Sequence, residues 1–110
     1  MTLNVTDDMM DAALQILASP MHAEAKAWFE KLDRQKKVML ARLERESNDT
    51  SVRGRETYAL THPHYAALLE QIDQAEAAYL KARDQRDSAE AITRAWQTKA
   101  ADARAAERVR

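Results

Sequence analysis

The side chains best suited to metal chemistry in this sequence are two histidines that flank a proline. His62 and His64 stand on either side of Pro63, and Glu56 lies one short segment earlier. Two imidazoles and a carboxylate are a donor set that Zn²⁺ accepts. The same residues also fit a turn in which His62 caps a helix that begins at the proline, and we favour that interpretation. The sequence therefore predicts no metal site and no cofactor.

Paired carboxylates are the other candidates for chemistry. Asp84 with Asp87, and Glu70 with Asp73, stand three residues apart, where a helix would place each pair on one face. Each pair has basic neighbours, however, and none adjoins a predicted pocket. The chain also has no glycine-rich phosphate loop, no nucleophile motif and no Cys/His metal set. We expect a protein that is not an enzyme.

The element that must position these residues is a long C-terminal helix. No Gly or Pro follows Pro63, so the spacing predicts one helix over 63–108, a rod of roughly 65 to 70 Å. Along it, residues recur at alternating steps of three and four, the seam of a coiled coil. They are Tyr65, Leu68, Ile72, Ala75, Tyr79, Ala82, Arg86, Ala89, Thr93, Trp96, Ala100 and Ala103. Since the seam alternates alanine with large side chains, an antiparallel partner helix suits it best.

Two shorter helices precede the long one. Thr6 is a candidate N-cap for a helix over 7–18, and Ser19 with Pro20 indicates a restart, with a kinked continuous helix as the alternative. The second helix is predicted over 20–46. Its seam is Met21, Ala25, Trp28, Leu32, Gln35 and Met39, flanked by Phe29, Leu40 and Leu43.

The segment 47–62 is predicted to be a loop. It contains the only glycine, Gly54, and polar residues that compete with helical hydrogen bonding. The cap of the long helix is expected at Thr61 or His62.

Composition limits the fold class. Of the 110 residues 45% are hydrophobic, many of them alanine, 32% are charged, and there are one Gly, two Pro and no Cys. We predict an all-α single domain over 1–110, a long helical hairpin with antiparallel coiled-coil packing plus a short N-terminal helix. The absence of cysteine, of a leader-like start and of a long apolar run predicts a soluble cytoplasmic protein that does not enter a membrane.

The unequal lengths of the two long helices predict an assembly. The second helix spans about 40 Å and the third more than about 60 Å, so an antiparallel hairpin leaves Ile92 and Trp96 uncovered. The first helix can fold back over part of this overhang, and a second copy can cover the rest. We expect a homodimer or a higher oligomer.

The spacing of the long helix also carries a family resemblance. The run Tyr65-x2-Leu68-x3-Ile72-x2-Ala75-x3-Tyr79-x2-Ala82-Arg83, followed by Arg86, Ala89-Glu90, Ile92 and Trp96, resembles small uncharacterised bacteriophage and prophage all-helical proteins. Those proteins also begin with a short capped helix, like Thr6 to Leu17. The resemblance implies a phage-borne accessory protein of the bacterial cytoplasm, from a replication and recombination gene region. It transfers no catalytic residue.

Three functions follow as expectations. The first is a non-enzymatic adaptor or inhibitor that binds a protein of a host or phage complex, host defence included. Its candidate contact residues are Trp28, Phe29, Tyr58, Tyr79, Arg83, Arg94 and Trp96. The alternative is a nucleic-acid-binding accessory factor of phage recombination or replication, which would use Lys36, Lys37, Arg42, Arg45, Lys99 and Arg104. A net charge of −1 gives little long-range attraction for nucleic acid. The third function is a structural or assembly component.

Overall fold

The computed structural model describes residues 5–108, and these contain four α-helices and no strand. The helices are α1 (Asp7–Ala18), α2 (Met21–Glu46), α3 (Val52–Thr61) and α4 (Pro63–Arg108). The all-α prediction is confirmed, and so is an uninterrupted helix from Pro63 onward. The chain divides into two compact units, Ala23–Leu80 and Met1–His22 with Lys81–Arg110. That the whole chain forms a single domain stays a prediction.

The unit Ala23–Leu80 is an antiparallel helical hairpin. Near the turn, Leu43 of α2 shares a cluster with Tyr65 of α4. Further from the turn, Leu32 packs in a second cluster with Leu68, Ile72 and Ala75, and still further Phe29 stacks on Tyr79 with ring centroids 5.9 Å apart. Residue numbers in these contacts fall along α2 while they rise along α4. The predicted antiparallel packing is therefore confirmed.

The predicted seam of α4 is the buried face of that helix. Its buried positions are Tyr65, Leu68, Ile72, Ala75, Ala82 and Ala89. Arg86 and Ala103 depart from the pattern, because both are exposed. The Arg86 guanidinium lies 3.4 Å from the Glu90 carboxylate. The long Arg86 side chain thus extends from a seam position to the surface, where its charge is near the Glu90 carboxylate and accessible to water.

The seam predicted for α2 is wrong by one residue at three of its positions. Met21, Trp28 and Gln35 are exposed, and the half-buried side chains are their neighbours His22, Phe29 and Lys36. The packing face is Ala25, Phe29, Leu32, Lys36, Met39 and Leu43. A shift of one residue turns a helix face by about 100°. Phe29 takes the inner position because it stacks on Tyr79, which leaves the larger indole outside.

The predicted loop over 47–62 is also wrong, because α3 occupies Val52–Thr61. Ser51 is its N-cap, and the hydroxyl accepts a 2.9 Å hydrogen bond from the Gly54 N–H. The Asp49 carboxylate in turn accepts hydrogen bonds from the Ser51 N–H and hydroxyl, both at 2.9 Å. These bonds lower the pKa of Asp49. Their contribution to stability is therefore present above the ordinary pKa of a carboxyl group and is lost as pH falls through the lowered value.

The buried residue of α3 is a small one that packs on the hairpin. Ala59 is 0% exposed and completes the cluster of Leu43 and Tyr65. The polar residues that predicted a loop, among them Ser51 and Asp49, instead form the hydrogen bonds that start the helix.

We predict that the effect of Gly54→Ala depends on Asp49. A Cβ at Gly54 would overlap the Asp49 carboxyl group, so the substitution must displace that group from Ser51. The helix-propensity gain of about 1 kcal/mol should then be offset by the disturbed cap in the natural background, and should appear in full beside Asp49→Ala. Urea unfolding of the four variants of this cycle measures the coupling. Equal stabilisation by Gly54→Ala in both backgrounds would contradict the overlap.

The second unit combines α1 with the distal part of α4. The Thr6 hydroxyl accepts a 3.2 Å hydrogen bond from the Met9 N–H, as its predicted role as N-cap requires. The helix ends at Ser19, whose extended backbone and hydroxyl lead into α2, so the predicted restart is confirmed. Ala13 of α1 and Ala89 of α4 are each 1% exposed, and Trp96 is half-buried. α1 thus shares a compact unit with the distal part of α4, and its covering of Ile92 and Trp96 stays a prediction.

Candidate interaction surfaces

An exposed cluster of rings lies where α3 meets α4. The Tyr58 ring contacts His62 edge-on, with centroids 5.5 Å apart, and the His62 ring lies 4.7 Å from that of His64. Tyr58 is 38% exposed, although Ala59 beside it is fully buried. Because α3 is fixed through Ala59, the phenol is held at the surface in a defined place.

The cap of α4 was predicted at Thr61 or His62, and the imidazole of His62 occupies that position. Its Nδ1 accepts a 3.0 Å hydrogen bond from the His64 N–H, which satisfies one of the unpaired donors at the helix start. This hydrogen bond engages Nδ1 within the chain, so in this arrangement that nitrogen is not free to bind a metal ion. Within residues 5–108 no group of three or more His, Cys, Asp or Glu is placed to hold one.

A second exposed surface runs along the outer side of α2. Trp28 is 52% exposed and Val38 59% exposed. The Lys31 ammonium lies 5.7 Å from the centroid of the Trp28 ring, a cation–π contact. Trp28 is thus an exposed aromatic anchor on a rigid helix, outside the intrachain core.

The other residues predicted to contact a partner are less accessible or are charged residues of α4. Phe29 and Tyr79 are stacked against each other and half-buried, so their rings belong to the hairpin core. Trp96 is also half-buried. Arg83 and Arg94 are exposed on α4, and Arg83 lies 4.0 Å from the Asp84 carboxylate. Of the predicted aromatic contacts, Trp28 and Tyr58 are the two classed as exposed.

The four predicted nucleic-acid contacts on α2, Lys36, Lys37, Arg42 and Arg45, do not form one stripe. The Lys36 ammonium lies 3.0 Å from the Asp33 carboxylate, and the hydrogen bond and charge of Asp33 raise the pKa of Lys36. At 100° per residue, Lys37 and Arg42 point about 140° apart around the helix. Arg42 and Arg45 do lie together, on an open recess that they share with Val38 and Ala41.

Lys99 and Arg104, the other two predicted nucleic-acid contacts, are exposed and belong to the other unit. The structure therefore brings together only one pair of the six cations, Arg42 and Arg45.

No protein-family model, no curated protein and no solved structure matches this chain. The phage resemblance stays an expectation.

The carboxylate pairs lie on the surface, and the crevice of the α1 unit is small. Asp84, Asp87, Glu70 and Asp73 are all exposed. The crevice lies between Ile16, Met21 and Ala82 and encloses about 40 Å³, far below the several hundred Å³ of a metabolite pocket. Beside it, the Arg86 guanidinium and His22 Nδ1 are 3.2 Å apart. This contact joins the start of α2 to α4.

Within residues 5–108, no helix combines the length and the apolar character needed to cross a bilayer.

Proposed function

We propose that this chain is a non-enzymatic, phage-type accessory protein that binds another protein through a rigid helical surface. In this proposal it acts in the bacterial cytoplasm as an adaptor or inhibitor of a host or phage complex, with host-defence complexes among the candidate targets. The observation that carries the proposal is the exposed Tyr58 ring at the corner between α3 and α4, which contacts the ring of His62, itself next to the ring of His64.

The physical support is preorganisation. Tyr residues are over-represented among the side chains that dominate binding energies, because one ring buries much area while only two rotatable bonds are fixed. Here the helix that carries Tyr58 is fixed at three places before any partner arrives. They are the Ser51 cap, the buried Ala59 and the His62 cap of the following helix. Binding of a partner would therefore cost little free energy for ordering this surface.

Nucleic-acid binding is the alternative function. Arg42 and Arg45 favour it, because both residues line one open recess and neither has an ion-pair partner within the described residues. Two arginines at one recess give a phosphate backbone few contacts, whereas salt-dependent binding normally neutralises several phosphates. We therefore rank protein binding first.

We predict that Tyr58→Ala removes partner capture. The immobilised protein should retain a discrete protein from a bacterial lysate, and Tyr58→Ala should reduce its recovery by about tenfold or more, the effect of losing a hot-spot ring. Tyr58→Phe keeps the ring and should keep recovery. Val52→Ala is the matched control, since Val52 is an exposed apolar residue of the same helix. Circular dichroism checks that each variant is folded.

Equal recovery on the natural protein and on Tyr58→Ala would contradict the proposal. The nucleic-acid alternative is tested in parallel with a single-stranded oligonucleotide. If that function holds, binding weakens with salt and is lost in Arg42→Glu, while Tyr58→Ala leaves it unchanged.

A further inference from the structure

Helix α2 carries a second seam on its outer side. Beside the inner face that packs on α4, six exposed residues recur at steps of four and three. They are Glu24, Trp28, Lys31, Gln35, Val38 and Arg42. This set is called the outer stripe below. Each of its members precedes a residue of the inner face by one position, so the stripe is turned by about 100° from the intrachain core.

The outer stripe combines exposed apolar and charged residues, as a helix surface does that packs against another helix. Trp28 and Val38 are among the most exposed large apolar side chains of the described chain. At the ends of the stripe stand an acid, Glu24, and a base, Arg42. Neither has an ion pair or side-chain hydrogen bond within residues 5–108. Two apolar anchors and two unpaired opposite charges are therefore left for an intermolecular contact.

From this pattern we infer that the outer stripe binds a second copy of the chain, with the two α2 helices antiparallel about a twofold axis. Glu24 and Arg42 are equidistant from the middle of the stripe, and so are Trp28 and Val38. In an antiparallel pair, Glu24 meets Arg42 of the second copy, and Trp28 meets Val38, each contact occurring twice. In such an isologous contact both copies use the same surface, so the assembly is complete as a dimer.

A parallel pair of the same stripes is disfavoured by charge. It would bring Glu24 beside Glu24 and Arg42 beside Arg42, and like charges in an interface are costly. At the centre, antiparallel packing places Lys31 opposite Gln35, whose amide oxygen can accept from the ammonium. Polar residues at seam positions commonly fix register in this way.

The size of the stripe indicates how tight the dimer is. Glu24 and Arg42 lie roughly 27 Å apart along the helix at 1.5 Å per residue. One helix-to-helix contact of this length belongs with the small interfaces below about 1,200 Å², which are typical of weak and transient association. The dimer should therefore form and dissociate with concentration. This inference goes beyond the proposed function, because it uses a different surface and a different partner.

The test is sedimentation equilibrium from roughly 1 μM to 1 mM, the range of weak association. The natural chain should pass from monomer to dimer. Trp28→Ala, Glu24→Arg and Arg42→Glu should each raise the dissociation constant by about tenfold or more, because they remove an anchor or oppose like charges. The double variant Glu24→Arg/Arg42→Glu restores opposite charges and should dimerise again. That rescue is specific to the antiparallel arrangement.

Two matched controls keep the result specific. Lys37→Glu makes the same change of net charge as Arg42→Glu on another side of α2, and Leu60→Ala removes an exposed apolar side chain of α3. Both should dimerise like the natural chain. A natural chain that is monomeric at every concentration, or stripe variants that dimerise as well as the controls, would overturn the inference. Neither result bears on partner capture through Tyr58.

Discussion

Leu43→Ala should destabilise the hairpin more than any other single truncation considered. Leu43 is 1% exposed and lies in the cluster with Ala59 and Tyr65, where α2, α3 and α4 meet. Removing its isobutyl group leaves a cavity between three helices. Leu→Ala changes in packed cores cost roughly 2 to 5 kcal/mol, and we expect about 3 kcal/mol here. That is a large fraction of the total stability of a small domain.

Urea unfolding followed by circular dichroism measures this loss, and Leu60→Ala is its matched control. Leu60 is on α3 but more than half exposed, so the same truncation should change the free energy of unfolding by no more than about 0.5 kcal/mol. A second readout is hydrogen exchange in α3, which should accelerate in Leu43→Ala because α3 is held through this cluster. A cost below about 1 kcal/mol for Leu43→Ala would contradict the assignment of the core.

Ala89→Leu should disrupt the other unit by overpacking. Ala89 is 1% exposed on distal α4, and the segment that shares its unit contains α1 with the equally buried Ala13. Helices that meet at alanines are close together, so an isobutyl group has no space to enter. We expect a cost of about 3 kcal/mol, at the upper end for inserted methylenes, and faster hydrogen exchange of the α1 amides.

Ala91→Leu is the control for this experiment. Ala91 is exposed on the same helix, two residues from Ala89, and the substitution costs little helix propensity. It should leave both the stability and the exchange of α1 unchanged. Should the two substitutions behave alike, α1 would not be packed on this face of α4.

The long helix could be predicted from the sequence because its signals are local and agree with each other. Pro63 starts it, no later Gly or Pro interrupts it, and the alternating steps of its seam match the buried positions. The Thr6 cap and the restart at Ser19 are equally local. Each depends on a side chain that hydrogen-bonds to the backbone two or three residues away.

The face of α2 that packs on α4 could not be predicted, because two sets of residues in this helix both have the spacing of a seam. Trp28 with Gln35 and Phe29 with Lys36 both fit the seam spacing, and only the stack of Phe29 on Tyr79 decides between them. That contact joins residues far apart in the sequence. The displaced apolar residue, Trp28, then becomes an exposed member of the outer stripe.

The helix α3 was missed for a related reason. Its residues include a glycine and several polar side chains, and its single buried contact, Ala59, is a small residue that no periodic pattern marks. The cluster of the Tyr58, His62 and His64 rings could be predicted from the sequence only in part. Tyr58 was a predicted partner contact and His62 a predicted cap, but that their rings adjoin depends on α3 being helical up to Thr61.

Photo-crosslinking from position 58 tests the central claim, that the ring cluster binds a protein, most directly. A photoreactive phenylalanine analogue placed at Tyr58 should form one discrete adduct in a bacterial lysate. An excess of the natural chain should compete with that adduct, an excess of Tyr58→Ala should not, and the same analogue at Val52 serves as the positional control. Adducts that are diffuse, or that Tyr58→Ala competes away as well as the natural chain does, would contradict the account.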